Sequence, residues 1–380
     1  MFKRILSLQQ MFLREIRLTQ FKNYPSAKVN LSPQLNCFVG KNGMGKTNLL
    51  DAIYYLCMCK SNFGIRDRQV VQHGTSFFRL EGRFAGDQEQ EIIVAKVIPG
   101  KKKEMERNGV AYQRLFEHIG LIPVVMIVPD DTLLVSEGSE GRRKFLDNTL
   151  SQLDRQYLEQ LLAYNKVLRQ RNAALKQFAK NGYFDAALIE TYNKQMLNPA
   201  AFIHQRRQAF LENFDPVFKE YYQIISKDAE KVDCTYVSRL AANSLSELFV
   251  ASREKDRILQ RTTAGIHKDD LKFIINGYAL KTFASQGQLK SFVLALKLAQ
   301  FEFLRKEKKI APILLLDDIF DKLDRHRVEQ LIGLLLERQF GQIFITDTHE
   351  NRLEEIVKKF DSTFLNFKIE DGVVHTLAGS

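Results

Sequence analysis

The pattern of apolar and polar positions divides the chain into a strand-rich beginning, a helical middle and an alternating end. Residues 11–21 alternate between apolar and polar side chains, which is typical of a strand with one buried face. Residues 77–98 alternate in the same way on both sides of a polar break at 85–89, and 123–128 is a continuous apolar run. These patterns predict that the first 128 residues are rich in β-structure.

The middle of the chain has a helical pattern that starts near residue 140. Apolar residues recur at three- and four-residue spacing on one face, and they are Leu153, Tyr157, Leu161, Tyr164 and Leu168. Gly or Pro residues interrupt the pattern at 181–182, 198–199 and 215–216. We therefore predict several helices here, with the apolar stripe as a packing face.

The β pattern returns near residue 231, and the last hundred residues then alternate strand and helix. Predicted strands lie at 313–316 and 343–346, with helices after Gly287 and at 327–336 and 351–360. This alternation is typical of an α/β fold with a parallel sheet. We predict that two halves of one domain flank an inserted helical arm.

The predicted domain bounds follow from these changes of pattern. They are an N-terminal extension or alternative start at 1–10, an N-terminal half at 11–128, an α-helical arm at 129–230 and a C-terminal half at 231–380.

A glycine-rich stretch follows the predicted strand at 35–39 and precedes a helical pattern at 48–56. Its residues are Gly40, Lys41, Asn42, Gly43, Met44, Gly45, Lys46 and Thr47, with Asn48 next. The spacing is that of the phosphate-binding P-loop, whose backbone N–H groups and helix N-terminus surround an anion. We expect Lys46 to reach the β- and γ-phosphates of a nucleotide and Thr47 to bind Mg²⁺.

The apolar run at 313–316 ends in two acids, Asp317 and Asp318, which is the form of a Walker B strand. Asp317 is expected to hold Mg²⁺ opposite Thr47, and Asp318 to orient or deprotonate the attacking water. An acidic pair that caps a turn is the alternative, but the P-loop makes the catalytic interpretation the better one.

Composition limits the possible partners and the cellular compartment of the protein. The chain has 380 residues, 45% hydrophobic and 27% charged residues and a net charge of +11, which favours a polyanionic partner. No apolar run is long enough to span a bilayer, and no signal-peptide pattern is present. The four cysteines form no disulfide or zinc pattern. We expect a cytoplasmic protein with reduced thiols and no membrane partner.

The loop Ser285-Gln286-Gly287-Gln288 opens a long helix shortly before the Walker B strand. It resembles the signature motif of ABC-type ATPases, in which this loop binds the γ-phosphate held by a second subunit. Ser285, Gly287 and Gln288 are therefore expected to act in trans. By the same resemblance, residues 321–324 correspond to the D-loop. Residues 346–349 correspond to the switch region, where His349 is a candidate of uncertain register.

Further stretches of sequence narrow the resemblance to one family. Over residues 11–380, the chain is similar to the RecF family of bacterial recombination mediators. The stretches occur in family order and are Leu18 to Tyr24, Asn36 to Tyr54, Pro129 to Asp131, Gly141 to Asp147, Arg169 to Leu175, Gly265 to Leu271, Ser285 to Lys290 and the Asp317-Asp318 pair.

The resemblance implies a P-loop NTPase fold with an ABC-type head, a mixed or parallel sheet plus an antiparallel β-subdomain, and a short helical arm. It also implies an ATP- and Mg²⁺-dependent homodimer that clamps duplex DNA near single-strand gaps. With RecR and RecO, such a dimer promotes loading of RecA and the SOS response, and slow, DNA-dependent ATP hydrolysis releases the clamp.

Some positions depart from the family pattern. Asp51 stands where Glu is usual, Ile266 replaces Pro, and Asp321-Lys322 replaces Ser-Glu. No Q-loop residue is assigned, since residues 129–132 occupy that region. Arg66 and Lys268 are only candidates for phosphate or DNA contacts, with a solvated surface as the alternative.

Two rival functions remain. The chain could be the ATPase subunit of a transport complex, although the arm between Thr47 and Ser285 argues against it. It could also be a DNA-binding scaffold with structural ATP.

Overall fold

The computed structural model describes residues 11–86, 90–227, 229–322, 325–349, 352–360 and 364–377. The strands in these residues are β1 Phe12–Phe21, β2 Tyr24–Asn30, β3 Leu35–Val39, β4 Phe78–Ala85, β5 Gln90–Val97, β6 Glu104–Arg107, β7 Val110–Ala111, β8 Val124–Ile127, β9 Val232–Val237, β10 Asp270–Ile275, β11 Tyr278–Ala279, β12 Ile313–Leu316, β13 Ile343–Asp347, β14 Phe364–Glu370 and β15 Val373–Leu377.

The α-helices in the same residues are α1 Lys46–Met58, α2 Asp67–Val70, α3 Leu133–Ser136, α4 Ser139–Leu153, α5 Arg155–Asn181, α6 Ala186–Ser226, α7 Leu245–Leu259, α8 Leu280–Phe283, α9 Gln286–Lys308, α10 Arg325–Glu337 and α11 Arg352–Val357.

The chain groups into two compact units, one of which combines the residues up to Asp131 with those from Phe301 onward. This first unit contains a six-stranded sheet of order β15-β14-β3-β13-β12-β8. All of its neighbouring pairs are parallel except β14 with β15. Its central strands β3, β12 and β13 are buried along their whole length, as expected for strands covered on both faces.

A second six-stranded sheet in this unit is antiparallel, with the order β2-β1-β4-β5-β6-β7. Helix α1 contributes to one hydrophobic core with strands of both sheets. Most of α1 is buried on every side. Helix α1 is therefore part of the hydrophobic core, and this burial holds its N-terminal end in place within the unit.

The second unit spans Thr132–Gln300. It is built on helices α5 and α6, which pack together, and on the three-stranded sheet β11-β10-β9. Tyr157, Leu161 and Tyr164 of the predicted stripe are buried on α5. Residues 231–300, which we had assigned to the C-terminal half, fall in this unit, where β9 packs against α6. The functional division into head and arm stays a prediction.

Two predicted helix breaks are wrong. Helix α6 continues through Pro199 and Pro216 for 41 residues, a length of about 60 Å. Both prolines lie inside the helix, and Pro199 is buried. Packing of the apolar face against α5 and β9 compensates for the lost backbone hydrogen bonds. The break at 181–182 is confirmed, since Gly182 ends α5 with a φ of 66°.

Two further observations concern bilayers and thiols. None of the described helices is long and apolar enough to cross a membrane. Cys37, Cys57, Cys59 and Cys234 are buried, free thiols, as predicted.

Candidate functional site

The predicted nucleotide motifs meet at one edge of the parallel sheet. Strand β3 leads into the glycine-rich loop, β12 ends at Asp317 and Asp318, and β13 lies between these two strands. Because parallel strands place their carboxyl ends at the same edge, three loops distant in sequence converge there. The structure therefore brings the P-loop and the Walker B acids together, as the spacing predicted.

The glycines of the loop are required by its backbone. Gly45 has a φ of 115°, and a Cβ on it would lie 2.5 Å from Nδ2 of Asn23. Gly40 has a φ of 152°, and a Cβ there would lie 2.4 Å from the carbonyl oxygen of Ile369. Only a residue without a side chain fits both the conformation and the space. The loop ends at Lys46, where α1 begins with no acidic residue in its first turn.

Lys46 is buried, with 3% of its surface exposed. Its Nζ donates hydrogen bonds to the carbonyl oxygens of Gly40 at 2.7 Å and Lys41 at 3.2 Å. These neutral partners hold the ammonium group over the loop without neutralising its charge. A positive charge at a helix N-terminus is suited to a phosphate group.

Asp317 connects the P-loop helix to the sheet. Thr47 Oγ1 lies 2.9 Å from each of its carboxylate oxygens, and Thr346 Oγ1 donates to Oδ1 at 2.8 Å. Burial raises the pKa of Asp317 above its usual range, against the opposing effect of the two hydroxyls, and the nearby Asp318 raises it further. A cation bound here would favour the ionised carboxylate.

The donor set fits Mg²⁺ held jointly with a nucleotide. Mg²⁺ prefers oxygen ligands and takes few of them from the protein, with phosphates and water as the rest. Thr47 and Asp317 supply one hydroxyl and one carboxylate. The described residues contain no group of three or more His, Cys, Asp or Glu that could hold a metal alone. Mg²⁺ bound there would neutralise charge on the phosphates.

Asp318 follows the strand in an unusual conformation. Its φ of 44° lies in the left-handed region, and its backbone N–H donates to Thr346 Oγ1 at 2.8 Å. Such strain in a non-glycine residue is concentrated at functional sites. The chain passes through this residue from β12 into the short helical turn Ile319–Lys322.

Several residues that support the loop were not predicted from the sequence as site residues. Asn23 donates from Nδ2 to the carbonyl oxygen of Met44 at 3.0 Å and accepts at Oδ1 from Asn48 at 2.7 Å. Tyr24 donates its hydroxyl to the carbonyl oxygen of Gly45 at 2.9 Å. The stretch from Leu18 to Tyr24 had been noted only as a family resemblance. Within that stretch, the Asn23-Tyr24 pair is the sequence feature that could have identified these supporting residues.

The hairpin between β14 and β15 also contacts the loop. Gly372, with a φ of 78°, donates its N–H to the carbonyl oxygen of Met44 at 3.1 Å. Strand β14, which pairs with β3, was not predicted. The sequence of the last residues carried no sign of this pairing, because it depends on strand order.

The family departure at Asp51 is accommodated locally. The carboxylate is buried and accepts from Lys22 Nζ at 2.7 Å, Ser61 Oγ at 2.8 Å and the Asn62 N–H at 2.8 Å. These contacts satisfy the shorter acid without a longer side chain.

The proposed signature residues lie in the second unit, whereas the P-loop lies in the first. Ser285 and Gln288 form a capping box: Ser285 N–H donates to Gln288 Oε1 at 2.7 Å, and Gln288 N–H to Ser285 Oγ at 3.2 Å. Ser285 is exposed, and Gly287 lies in the first turn of α9. Their action in trans stays a prediction.

The switch and D-loop assignments stay predictions. His349 has 67% of its side chain exposed, and its backbone N–H donates to Asp347 Oδ1 at 3.0 Å. Arg352 binds the same buried carboxylate through Nε at 2.9 Å and Nη2 at 2.7 Å. Residues 323 and 324 of the D-loop lie outside the described residues.

The two basic candidates, Arg66 and Lys268, are both exposed. Partial desolvation, together with the neighbouring cations Arg261 and Arg143, lowers the pKa of Lys268. This group of cations lies within the second unit.

Comparisons with known proteins identify relatives of this chain. The family model described as the RecF/RecN/SMC N-terminal domain matches residues 12–371. The DNA replication and repair protein RecF of Flavobacterium johnsoniae is 46% identical over 94% of this chain and 100% of its own length. The RecF protein of Phocaeicola vulgatus is 43% identical over 96% of this chain and 98% of its own.

Solved structures give the same result. A structure of the recombination mediator protein RecF with ATPrS in the RecFOR pathway matches with a TM-score of 0.88 and 30% identity, covering 98% of this chain and 100% of that one. An Smc head domain from Pyrococcus furiosus matches at a TM-score of 0.56 and 16% identity over 97% of this chain and 96% of its own, which shows the fold alone.

The predicted fold class, an α/β P-loop NTPase with an ABC-type ATPase head, is thereby confirmed. Together with the full-length match to curated relatives, it establishes that this chain belongs to the RecF family of DNA replication and repair proteins.

Proposed function

We propose that this protein is a Mg²⁺-dependent ATPase whose nucleotide state controls self-association and DNA binding during recombinational repair. The observation that carries the proposal is the contact of Thr47 with Asp317 at 2.9 Å, beside the buried Lys46. It joins two motifs 270 positions apart into one site of the kind that holds a nucleotide and its metal ion. Relatives solved with ATP or ATPrS support the choice of nucleotide.

The chemistry assigns a role to each residue. The loop Gly40–Thr47 and Asn48 surround the phosphates, and Lys46 attracts the β- and γ-phosphate oxygens. Asp318 accepts a proton from the water that attacks the γ-phosphorus, while the bond to the β,γ-bridging oxygen breaks and ADP leaves. Thr47 and Asp317 hold Mg²⁺.

The site is completed by a second copy of the chain. The exposure of Ser285 at the start of α9 supports a contact in trans, in which Ser285, Gly287 and Gln288 bind the γ-phosphate of the partner. ATP thereby links two subunits, and hydrolysis removes the group that links them. Turnover is slow and is stimulated by DNA.

DNA is the proposed partner. The net charge of +11 and the exposed Lys268 with its neighbouring cations favour a polyanion, and the relatives are DNA replication and repair proteins. By resemblance, the closed dimer holds duplex DNA next to single-strand gaps in the cytoplasm. It acts there with RecR and RecO to promote RecA loading.

Sedimentation with ATP and Mg²⁺ tests the nucleotide-driven dimer. Asp318→Asn should bind ATP without hydrolysing it and accumulate as a dimer, whereas wild type should return to monomers as ATP is consumed. Asp233→Asn is the control, because it makes the same substitution at an exposed aspartate of the second unit. Monomers for both wild type and Asp318→Asn would refute the clamp.

Binding to gapped DNA tests the partner. Affinity should rise with ATP and fall with salt, with log K decreasing by about 0.9 per log unit of salt for each phosphate neutralised. A DNA affinity that does not respond to ATP would favour a transport subunit or a scaffold with structural ATP.

A further inference from the structure

Thr346 is a buried residue at the centre of the site with no role in the function described so far. It lies on β13, between the P-loop strand β3 and the Walker B strand β12, and is 0% exposed. Its backbone pairs with Phe38 on β3. The side chain therefore stands where the P-loop and the acidic pair approach one another.

The hydroxyl of Thr346 connects both acids. It donates to Asp317 Oδ1 at 2.8 Å and accepts from the Asp318 N–H at 2.8 Å. A hydroxyl is one of the few side-chain groups that can donate and accept at once. A valine of the same shape would lose both contacts, and a serine would keep them.

The first contact orients the carboxylate that faces Thr47. Asp317 Oδ1 accepts from Thr346, and the backbone N–H of Asp317 donates to the Ile127 carbonyl at 2.9 Å. The acid is thus fixed from the strands on both sides of β12. Contacts of this kind to a metal ligand commonly set its affinity.

The second contact fixes the turn that follows. Asp318 has a φ of 44°, a conformation that is unfavourable for a residue with a side chain. The Thr346 hydroxyl satisfies the backbone N–H at this turn. Loss of that acceptor would leave the N–H without this partner and allow the turn to relax.

We infer that Thr346 is a positioning residue that sets the metal-binding carboxylate and the catalytic carboxylate together through one hydroxyl. The inference rests on the proposed Mg²⁺-dependent hydrolysis of ATP and adds the residue that couples its two acids. It predicts that Mg²⁺ binding and catalysis are impaired together when the hydroxyl is removed.

The test compares Thr346→Val and Thr346→Ala with Thr346→Ser. Removal of the hydroxyl should lower kcat about 10- to 100-fold and weaken by a similar factor the gain in ATP affinity that Mg²⁺ provides. Binding of metal-free ATP, followed with a fluorescent analogue, should change less than about threefold, since the loop and Lys46 are intact. The serine variant should stay within about threefold of wild type in all three measurements.

Thr149→Val is the matched control. Thr149 is also a buried threonine, 0% exposed, whose hydroxyl donates to the Phe145 carbonyl and accepts from Gln300 at 2.8 Å each. These contacts lie within the second unit. The variant loses two hydrogen bonds but should keep the wild-type kcat and Mg²⁺ dependence.

Three results would overturn the inference while leaving the proposed ATPase intact. The first is that Mg²⁺ raises the ATP affinity of Thr346→Val as much as that of wild type. The second is a loss of kcat and of this Mg²⁺ effect that Thr346→Ser does not restore. The third is an equal loss of both in Thr149→Val. If wild type itself failed to hydrolyse ATP, the proposed function would be wrong. The increase in ATP affinity that Mg²⁺ provides, compared between wild type and the Thr346 variants, would then still test the role of Thr346.

Discussion

The buried charges of the nucleotide site and those of the helical unit are held in different ways. In the first unit, Lys46 contacts two backbone carbonyls, and Asp317 is held by the hydroxyls of Thr47 and Thr346. In the second unit, the buried Arg207 contacts the carboxylates of Asp147 at 2.8 Å and Asp269 at 3.0 Å. The first set of charges is hydrogen-bonded to neutral groups, and the second forms ion pairs within the fold.

A second example in the helical unit follows the same rule. Arg171, 1% exposed, donates to Asp256 Oδ2, Thr262 Oγ1 and Asn193 Oδ1 at 2.8–2.9 Å. A buried charge that is paired internally is destabilising when its partner is removed. A buried charge held by neutral groups remains able to attract a ligand. The comparison separates structural from ligand-directed charges.

The largest expected effect is that of Arg207→Ala. The change leaves the carboxylates of Asp147 and Asp269 without their buried cation, and the Ile266 carbonyl and Tyr157 hydroxyl also lose a donor. We expect the free energy of unfolding to fall by about 3–5 kcal/mol, measured by denaturant titration.

The neighbouring Arg206 provides the control. Its side chain is 49% exposed and pairs with Asp154 at 3.1 Å. Arg206→Ala should cost less than about 1 kcal/mol. Equal losses for the two variants would mean that burial and internal pairing do not distinguish these arginines.

Lys46→Ala should abolish useful ATP binding while the fold persists. Loss of a buried cation that faces phosphate is expected to cost about 2–4 kcal/mol of binding, or roughly 30- to 1,000-fold in Kd. Titration with a fluorescent ATP analogue measures the loss.

Lys103→Ala is the comparison for that loss, because Lys103 donates to the Cys59 carbonyl and pairs with Asp67 within the same unit. Its ATP affinity should match wild type. A stability loss in Lys46→Ala as large as that in Arg207→Ala would contradict the distinction between ligand-directed and structural buried charges.

Acid should destabilise both units through one buried histidine in each. Burial lowers the pKa of His118 and of His267 to about 4. The unfolded imidazoles, with a pKa near 6.5, take up protons first, so stability falls as the pH decreases from about 6.5 to about 4. At pH 5 the loss is about 2 kcal/mol for each histidine.

Urea unfolding at several pH values measures this dependence. His118→Gln and His267→Gln should each reduce the slope of stability against pH. A wild-type slope in both buried variants would exclude these histidines as its source.

Arg171→Lys should have the smallest effect. The positive charge is kept, but a lysine cannot reproduce the forked contacts to three side chains. We expect a loss of about 1–2 kcal/mol in unfolding free energy.

Arg169→Lys, at an exposed position of α5, should change stability by less than about 0.5 kcal/mol. An Arg171→Lys variant as stable as this control would show that the charge alone, without its geometry, satisfies the network.

The sequence alone was sufficient for the local part of the site. The strand at 35–39, the glycine-rich loop and the helix that follows are contiguous, and their chemistry is written in neighbouring residues. The acids at the end of 313–316 were identified for the same reason. Asn276-Gly277 and Asn108-Gly109 also form tight turns of the kind that this dipeptide favours, with positive φ at all four residues.

Long-range features could not be predicted from the pattern. Strand β14 pairs with β3, and Asn23 supports Met44, because strand order and register bring them together. Helix α6 passes through Pro199 and Pro216 because tertiary packing outweighs the local cost of proline. The buried partners of Arg207 come from segments about 60 positions distant.

The sequence by itself therefore determined which residues could bind phosphate and metal, since the P-loop and the acidic pair are local patterns with a fixed chemistry. Only the tertiary structure decided that Thr346 joins Asp317 to Asp318 and that Lys46 is held by carbonyl groups. The physical reason is that hydrogen bonds depend on distances of about 3 Å. Such distances between remote segments arise only when the sheet has formed.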